Sequence, residues 1–88
     1  MASSLSIVIV NWNTGALLSE CCHSIARAEL NGYPLREIVI VDNASTDGSC
    51  DNLPVDKALP MRIVRNASNQ GFGAACNQGA RVVTGDFI

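Results

Sequence analysis

Asp42 follows four aliphatic residues, Ile38-Val39-Ile40-Val41, and precedes Asn43-Ala44-Ser45-Thr46-Asp47-Gly48-Ser49, a string of small polar turn formers. All four aliphatic residues are β-branched, so the run reads as a buried strand that delivers a carboxylate to a sheet edge. Ligands of open α/β sheets bind beyond the carboxyl ends of the strands, which places Asp42 to meet a small molecule. The alternative is that Asp42 caps the turn behind it. Two more polar segments, residues 10–14 and 69–73, fall at the same predicted edge and complete a set of three loops.

Those loops need a scaffold, and the hydrophobic pattern supplies one. Residues 5–10 form a first β-branched run with little alternation, as expected of a strand covered on both faces. Leu18, Cys21 or Cys22, Ile25 and Ala28 then recur at helical spacing to about Leu30, with Asn13 or Thr14 available as the N-cap and Asn31-Gly32 as the stop. The central strand covers residues 37–41. A short helical turn from Ser45 or Thr46 to about Leu53 follows, and Asp47 suits the dipole at its start. Pro54 and Pro60 bracket a surface linker, and Met61–Arg65 is a third strand nearer the edge.

After a polar loop at 66–70, Phe72, Ala75, Cys76, Gly79, Ala80 and Val83 make a stripe of mostly small residues on a helix over 71–83. Gly73 and Gly79 lower helix propensity by roughly 1 kcal/mol each, so close packing or close ligand approach is the expected compensation. Thr84-Gly85 stops the helix, and Asp86-Phe87-Ile88 opens a further strand. The alternation predicts an α/β fold with a mostly parallel open sheet, flanking helices and right-handed crossovers.

Composition narrows the function. The 88 residues are 48% hydrophobic and 16% charged with a formal net charge of -2, which describes a globular domain without a basic surface for nucleic acid or anionic lipid. No apolar run approaches the ~18 residues of a membrane span, and Met1-Ala2-Ser3-Ser4 lacks the charge that opens a secretory signal, so a cytoplasmic protein is expected. The four cysteines lack C-x-x-C spacing and read as buried free thiols. His23 reads as a packing or surface histidine, and Arg62, Arg65 and Arg81 as solvated charges. Neither the dinucleotide fingerprint nor the P-loop is present, and receiver-type domains need clustered acids after strand one, where this chain has Asn11-Trp12-Asn13.

The combination Val8-Ile9-Val10-Asn11-Trp12-Asn13, Val41-Asp42-Asn43-Ala44-Ser45-Thr46-Asp47-Gly48-Ser49 and Asn69-Gln70-Gly71-Phe72-Gly73-Ala74-Ala75-Cys76-Asn77-Gln78-Gly79 resembles the family-2 glycosyltransferases of GT-A fold, along essentially the whole chain. Within the family the first of these segments is most similar to the rhamnosyltransferase-like branch. The resemblance implies a Rossmann-like amino-terminal half of a GT-A domain, with residues 1–88 as the nucleotide-sugar-binding portion, truncated before the D-x-D motif.

The resemblance also implies roles. Asp42 matches the carboxylate that accepts a hydrogen bond from the donor's base, typically the imide N–H of uracil or thymine, and an ionised carboxylate is suited to it because it only accepts. Val10 and Trp12 match positions lining the nucleoside pocket, although Trp12 is equally a candidate core anchor. Asn69 and Gly71 match the loop bordering the nucleotide, with turn and capping chemistry as the alternative. Asn77 matches a family asparagine. Mg2+ or Mn2+ is implied, held by ligands beyond Ile88, as is a later catalytic base, so this chain by itself is expected to bind donor without transferring sugar. The expected partners are a UDP- or dTDP-sugar and an acceptor saccharide or lipid-linked glycan, as in cell-surface polysaccharide biosynthesis at the inner face of the membrane. A non-catalytic nucleotide-binding module is the other candidate, self-associating as a homo-oligomer through an open sheet edge.

Overall fold

The computed structural model describes residues 3–28, 32–51, 53 and 60–88. Strands β1 (Leu5–Asn11), β2 (Leu35–Asp42) and β3 (Met61–Arg65) form one parallel sheet in the order β1-β2-β3. Helices α1 (Leu17–Arg27) and α2 (Phe72–Val82) complete the expected alternation. Val39 and Val41 are fully buried with Ile38 and Ile40, as an uninterrupted apolar run in a covered central strand requires.

The pleat divides the core into two chemically different layers. Ile38 and Ile40 pack on one face with Leu18 and Cys22 of α1 and with Cys50, joined by Ile7, Ile9 and Met61. On the other face Val39 and Val41 meet Ala75 of α2, with Val8, Val10 and Val64 around them. Gly79 brings α2 close: a Cβ there would collide with the Val8 side chain and lie 3.2 Å from Cγ2 of Val41. Close packing thus accounts for Gly79, whereas Gly73 faces open space and packing does not explain it.

The end of the chain returns to the first strand. Phe87 bridges Leu5 in parallel and its carbonyl accepts the Ser6 N–H at 2.8 Å, while Asp86 accepts the Ser4 N–H at 2.8 Å. Successive strands therefore step from β1 to β3 and the chain then reverses to the outer side of β1. Such a switch point, here beside Asn11, is where open α/β sheets bind ligands.

At the opposite end of the sheet, the buried Glu37 holds the returning chain in place. Its Oε2 accepts the Thr84 N–H at 2.7 Å, the Thr84 hydroxyl at 2.6 Å and the Ser6 hydroxyl at 2.9 Å, and Oε1 lies 3.4 Å from the Arg62 guanidinium. The Thr84 hydrogen bonds hold its carboxyl well down, at about 2. Arg62 remains exposed, as expected of a solvated charge, and also pairs with Glu37.

Several local expectations are corrected. Helix α1 begins at Leu17 behind Ala16 with no side-chain cap, because Asn13 and Thr14 are engaged elsewhere. Residues 46–51 form bends and a turn closed by the Asp51 N–H to the Gly48 carbonyl, not a helix, so Asp47 has no helix dipole to meet. Phe72 is 73% exposed and lies outside the buried stripe, which is made by Ala75 and Gly79. Of the four free cysteines, Cys21 is exposed and Cys76 half-buried. Helix α1 ends at Arg27 with Ala28 already extended, short of the expected run to about Leu30, and most of the proline-bracketed segment lies outside the described residues.

Candidate functional site

The carboxyl edge of the sheet is built from three loops joined by two buried amides. Asn11 and Asp42, the last residues of β1 and β2, are register partners, so their side chains emerge side by side. Asn11 is fully buried and its Nδ2 donates to Asp42 Oδ1 at 2.9 Å, Ser49 Oγ at 2.8 Å and, more weakly, Ser45 Oγ at 3.2 Å. Its Oδ1 accepts the Thr14 hydroxyl. Backbone ties strengthen this joint: the Asn13 N–H donates to Ser45 Oγ, the Thr46 N–H to Asn13 Oδ1 and the Gly15 N–H to Asp47 Oδ2.

Asn43, buried on the other face of the sheet, joins the second loop to the third. Its Nδ2 donates to the Gly71 carbonyl at 3.2 Å, and its Oδ1 accepts the Asn66 amide at 3.0 Å and the Gln70 N–H at 3.4 Å. Asn66 in turn exchanges two hydrogen bonds with Gln78 of α2, at 2.8 and 2.9 Å. Ala44, between the two anchors, is held at φ 65, a left-handed conformation that costs a residue with a Cβ and occurs preferentially at functional loops.

Asp42 is 3% exposed and is held ionised. Burial pushes its carboxyl up, but the Ser45 and Asn11 hydrogen bonds outweigh it and leave the group below the ordinary carboxylate range. Oδ1 accepts the Ser45 hydroxyl at 2.6 Å besides Asn11, and Oδ2 accepts the Ser45 N–H at 3.1 Å. The turn-capping alternative is therefore realised. Asp42 also reaches a polar cavity of about 170 Å³ that it lines with Ser45, Ser49, Cys50, Asp51 and Arg65. Burial and the nearby Asp42 charge push the Cys50 thiol up to about 11, so it stays protonated beside the carboxylate.

The other sequence-derived site residues are distributed around this edge. Trp12 is 55% exposed and is no core anchor. Val10 packs into the α2-side core, so its side chain lies on the sheet face opposite Asp42. Asn69 Oδ1 accepts the Gly71 N–H at 2.8 Å, and Gly71, at φ 85, is the residue from which α2 starts. Turn and capping chemistry is what that pair displays. Asn77 is exposed, and the neighbouring Gln78 makes the inward contact instead. Asn11, Asn43, Asn66 and Gln78 escaped the sequence reading. The available signal for the first two was their position at strand ends next to Asp42.

Among the described residues no three His, Cys, Asp or Glu side chains converge on a point. No helix of the described chain is long and apolar enough to cross a membrane.

Comparison with known proteins agrees with this architecture. The sequence profile of the family described as glycosyl transferase family 2 matches residues 6–88. The chain is 32% identical over its full length to the glycosyltransferase GlyG of Streptococcus pneumoniae, of which it covers 29%. It is 33% identical over 96% of its length to the poly(ribitol-phosphate) beta-glucosyltransferase of Bacillus spizizenii, of which it covers 14%. It thus spans less than a third of these relatives. In fold it is similar to the mannosyltransferase PcManGT of Pyrobaculum calidifontis, solved in complex with GDP-Man and Mn2+, with a TM-score of 0.80 at 23% identity over 98% of this chain and 26% of that one. That likeness bears out the open parallel sheet of GT-A type. The chain belongs to glycosyl transferase family 2.

Proposed function

We propose that residues 1–88 form the nucleotide-binding portion of a glycosyltransferase domain, holding an activated sugar by its nucleotide. The observation that carries this reading is Asp42: a buried carboxylate, kept ionised and fixed by hydrogen bonds, on the wall of a polar cavity at the carboxyl edge of a parallel sheet. An ionised carboxylate accepts and never donates, so it selects a base edge that presents N–H. Uracil and thymine present the imide N–H, which favours a UDP- or dTDP-sugar. Guanine presents a lactam N–H, the chemistry of the GDP-Man found with PcManGT. Trp12 offers an exposed ring for the base and Val10 the adjoining backbone, while Asn69 and Gly71 border the ribose and phosphates at the start of α2.

The protein carrying this chain transfers a hexosyl or rhamnosyl group to a hydroxyl of a saccharide or lipid-linked glycan, with inversion, on the cytoplasmic side of a membrane. This segment, which spans less than a third of the relatives it matches, alone binds donor and performs no transfer. Mg2+ or Mn2+, if held by the whole protein, would supply charge neutralisation for the diphosphate leaving group. Calorimetric titration with UDP, dTDP, GDP and CDP tests the reading. Binding of UDP, dTDP or GDP with weak or absent binding of CDP is the expected result, and failure of all four to bind a folded chain contradicts it.

A further inference from the structure

We propose that Asn11 is a positioning residue for nucleotide recognition: its buried amide commits Asp42 Oδ1 to the protein interior and leaves Oδ2 as the oxygen that meets the base. The inference rests on the base-reading role given to Asp42 above.

The geometry distinguishes the two oxygens. Oδ1 receives the Asn11 amide at 2.9 Å and the Ser45 hydroxyl at 2.6 Å, two strong contacts that occupy its lone pairs. Oδ2 receives the Ser45 N–H at 3.1 Å, the longest of the three contacts, and the Cys50 thiol also donates to the carboxylate. A carboxylate free to rotate would offer either oxygen in either direction. This one is held from both sides, because Asn11 stands beside it in register across the sheet and Ser45 stands three residues on.

The choice of a neutral amide follows from the task. A lysine or arginine at position 11 would hold Asp42 as firmly but cancel the charge that a ligand N–H seeks, and a second ionised carboxylate would repel it. An amide donates while leaving the negative charge in place. An amide can also be turned end for end; the Asp42 carboxylate, which only accepts, selects the orientation with Nδ2 toward it, and the Thr14 hydroxyl, which donates to Oδ1 of Asn11, supports that orientation.

The test compares UDP and CDP, whose bases differ at the atom to be read: uracil presents N–H at position 3 and cytosine a bare acceptor. Their affinity ratio is insensitive to the fraction of chain folded. In the unmodified chain UDP is expected to bind at least about tenfold more tightly than CDP. Asn11→Leu, similar in size and without a donor, is expected to bring the ratio to within about threefold. Thr14→Val, at a half-buried position that risks little stability, is expected to lower the ratio in the same direction, and Thr14→Ser to retain it. If Asn11→Leu does not fold, the two Thr14 variants decide. A normal ratio in Asn11→Leu, or in Thr14→Val when only the Thr14 variants can be read, overturns the positioning role. Equal binding of UDP and CDP by the unmodified chain instead overturns the base-reading role of Asp42, a distinct failure seen before any variant is made.

Discussion

Gly79 of α2 lies directly on Val8 of β1, with no room for a methyl group between them. This contact sets the depth at which α2 seats on the sheet, and therefore the height of the Gly71 turn over the edge. In Gly79→Ala the added Cβ meets two valine side chains in a close-packed layer, an overpacking cost of about 1–3 kcal/mol that outweighs the roughly 1 kcal/mol gained in helix propensity. A net loss of up to about 2 kcal/mol corresponds to a Tm lower by up to roughly 16 °C in a domain of this size, measurable by thermal unfolding. Gly73→Ala, which meets nothing within 4 Å, should instead raise Tm, since only the propensity gain applies.

Glu37 makes stability depend on acid. Its carboxyl sits near 2 in the folded chain against an ordinary 4.5, so the folded state favours the ionised form. That contribution is fully present above about 4.5 and is lost as pH falls from there toward 2. Urea midpoints measured across this window should fall steeply for the unmodified chain and more gently for Glu37→Gln, which should already be less stable near neutral pH. The two curves converge at the acid end.

Asn43 holds the third loop through its side chain, and removing it should loosen that loop selectively. Asn43→Ala deletes hydrogen bonds to the Gly71 carbonyl, the Gln70 N–H and Asn66, a loss of about 1–3 kcal/mol. Hydrogen exchange should accelerate at Gln70 and Gly71 more than at Ile38 to Val41 of β2, whose amides belong to the sheet ladder.

Trp12 separates stability from binding. With its ring 55% exposed, Trp12→Ala should change unfolding free energy by no more than about 0.5 kcal/mol. Loss of a stacking surface for the base should nonetheless weaken UDP by roughly 1–2 kcal/mol, about 5–30-fold by calorimetry. A variant that loses stability and keeps its affinity would return Trp12 to a purely structural role.

The strands were legible in the sequence because a covered parallel sheet favours apolar side chains, and residues 7–10 and 38–41 have no polar interruption. Their polar ends were legible for the same reason, which is why Asp42 stood out. What local sequence could not show was how polar residues are shared across long separations. Asn13 and Thr14 were plausible helix caps, yet their side chains serve Thr46 and Asn11, and α1 starts later without them. The partner of Asn11 became visible only through register, since nothing in a one-dimensional reading places an amide at position 11 against a carboxylate 31 residues on. Phe72 fits the helical period but occupies the first position of α2 and remains exposed. Cys21 and Cys22 show the limit of spacing arguments: adjacent residues of one type, of which only Cys22 reaches the core.

The central claim is that the Asp42 carboxylate reads an N–H of the nucleotide base, and Asp42→Asn tests it most directly. The substitution preserves shape and replaces an obligate acceptor by a group that can also donate. Calorimetric titration of both chains with UDP and CDP should show the preference for UDP falling by at least about tenfold in Asp42→Asn, with CDP binding held or improved. An unchanged UDP preference in a folded Asp42→Asn chain would contradict the account and leave Asp42 as the cap of its own turn.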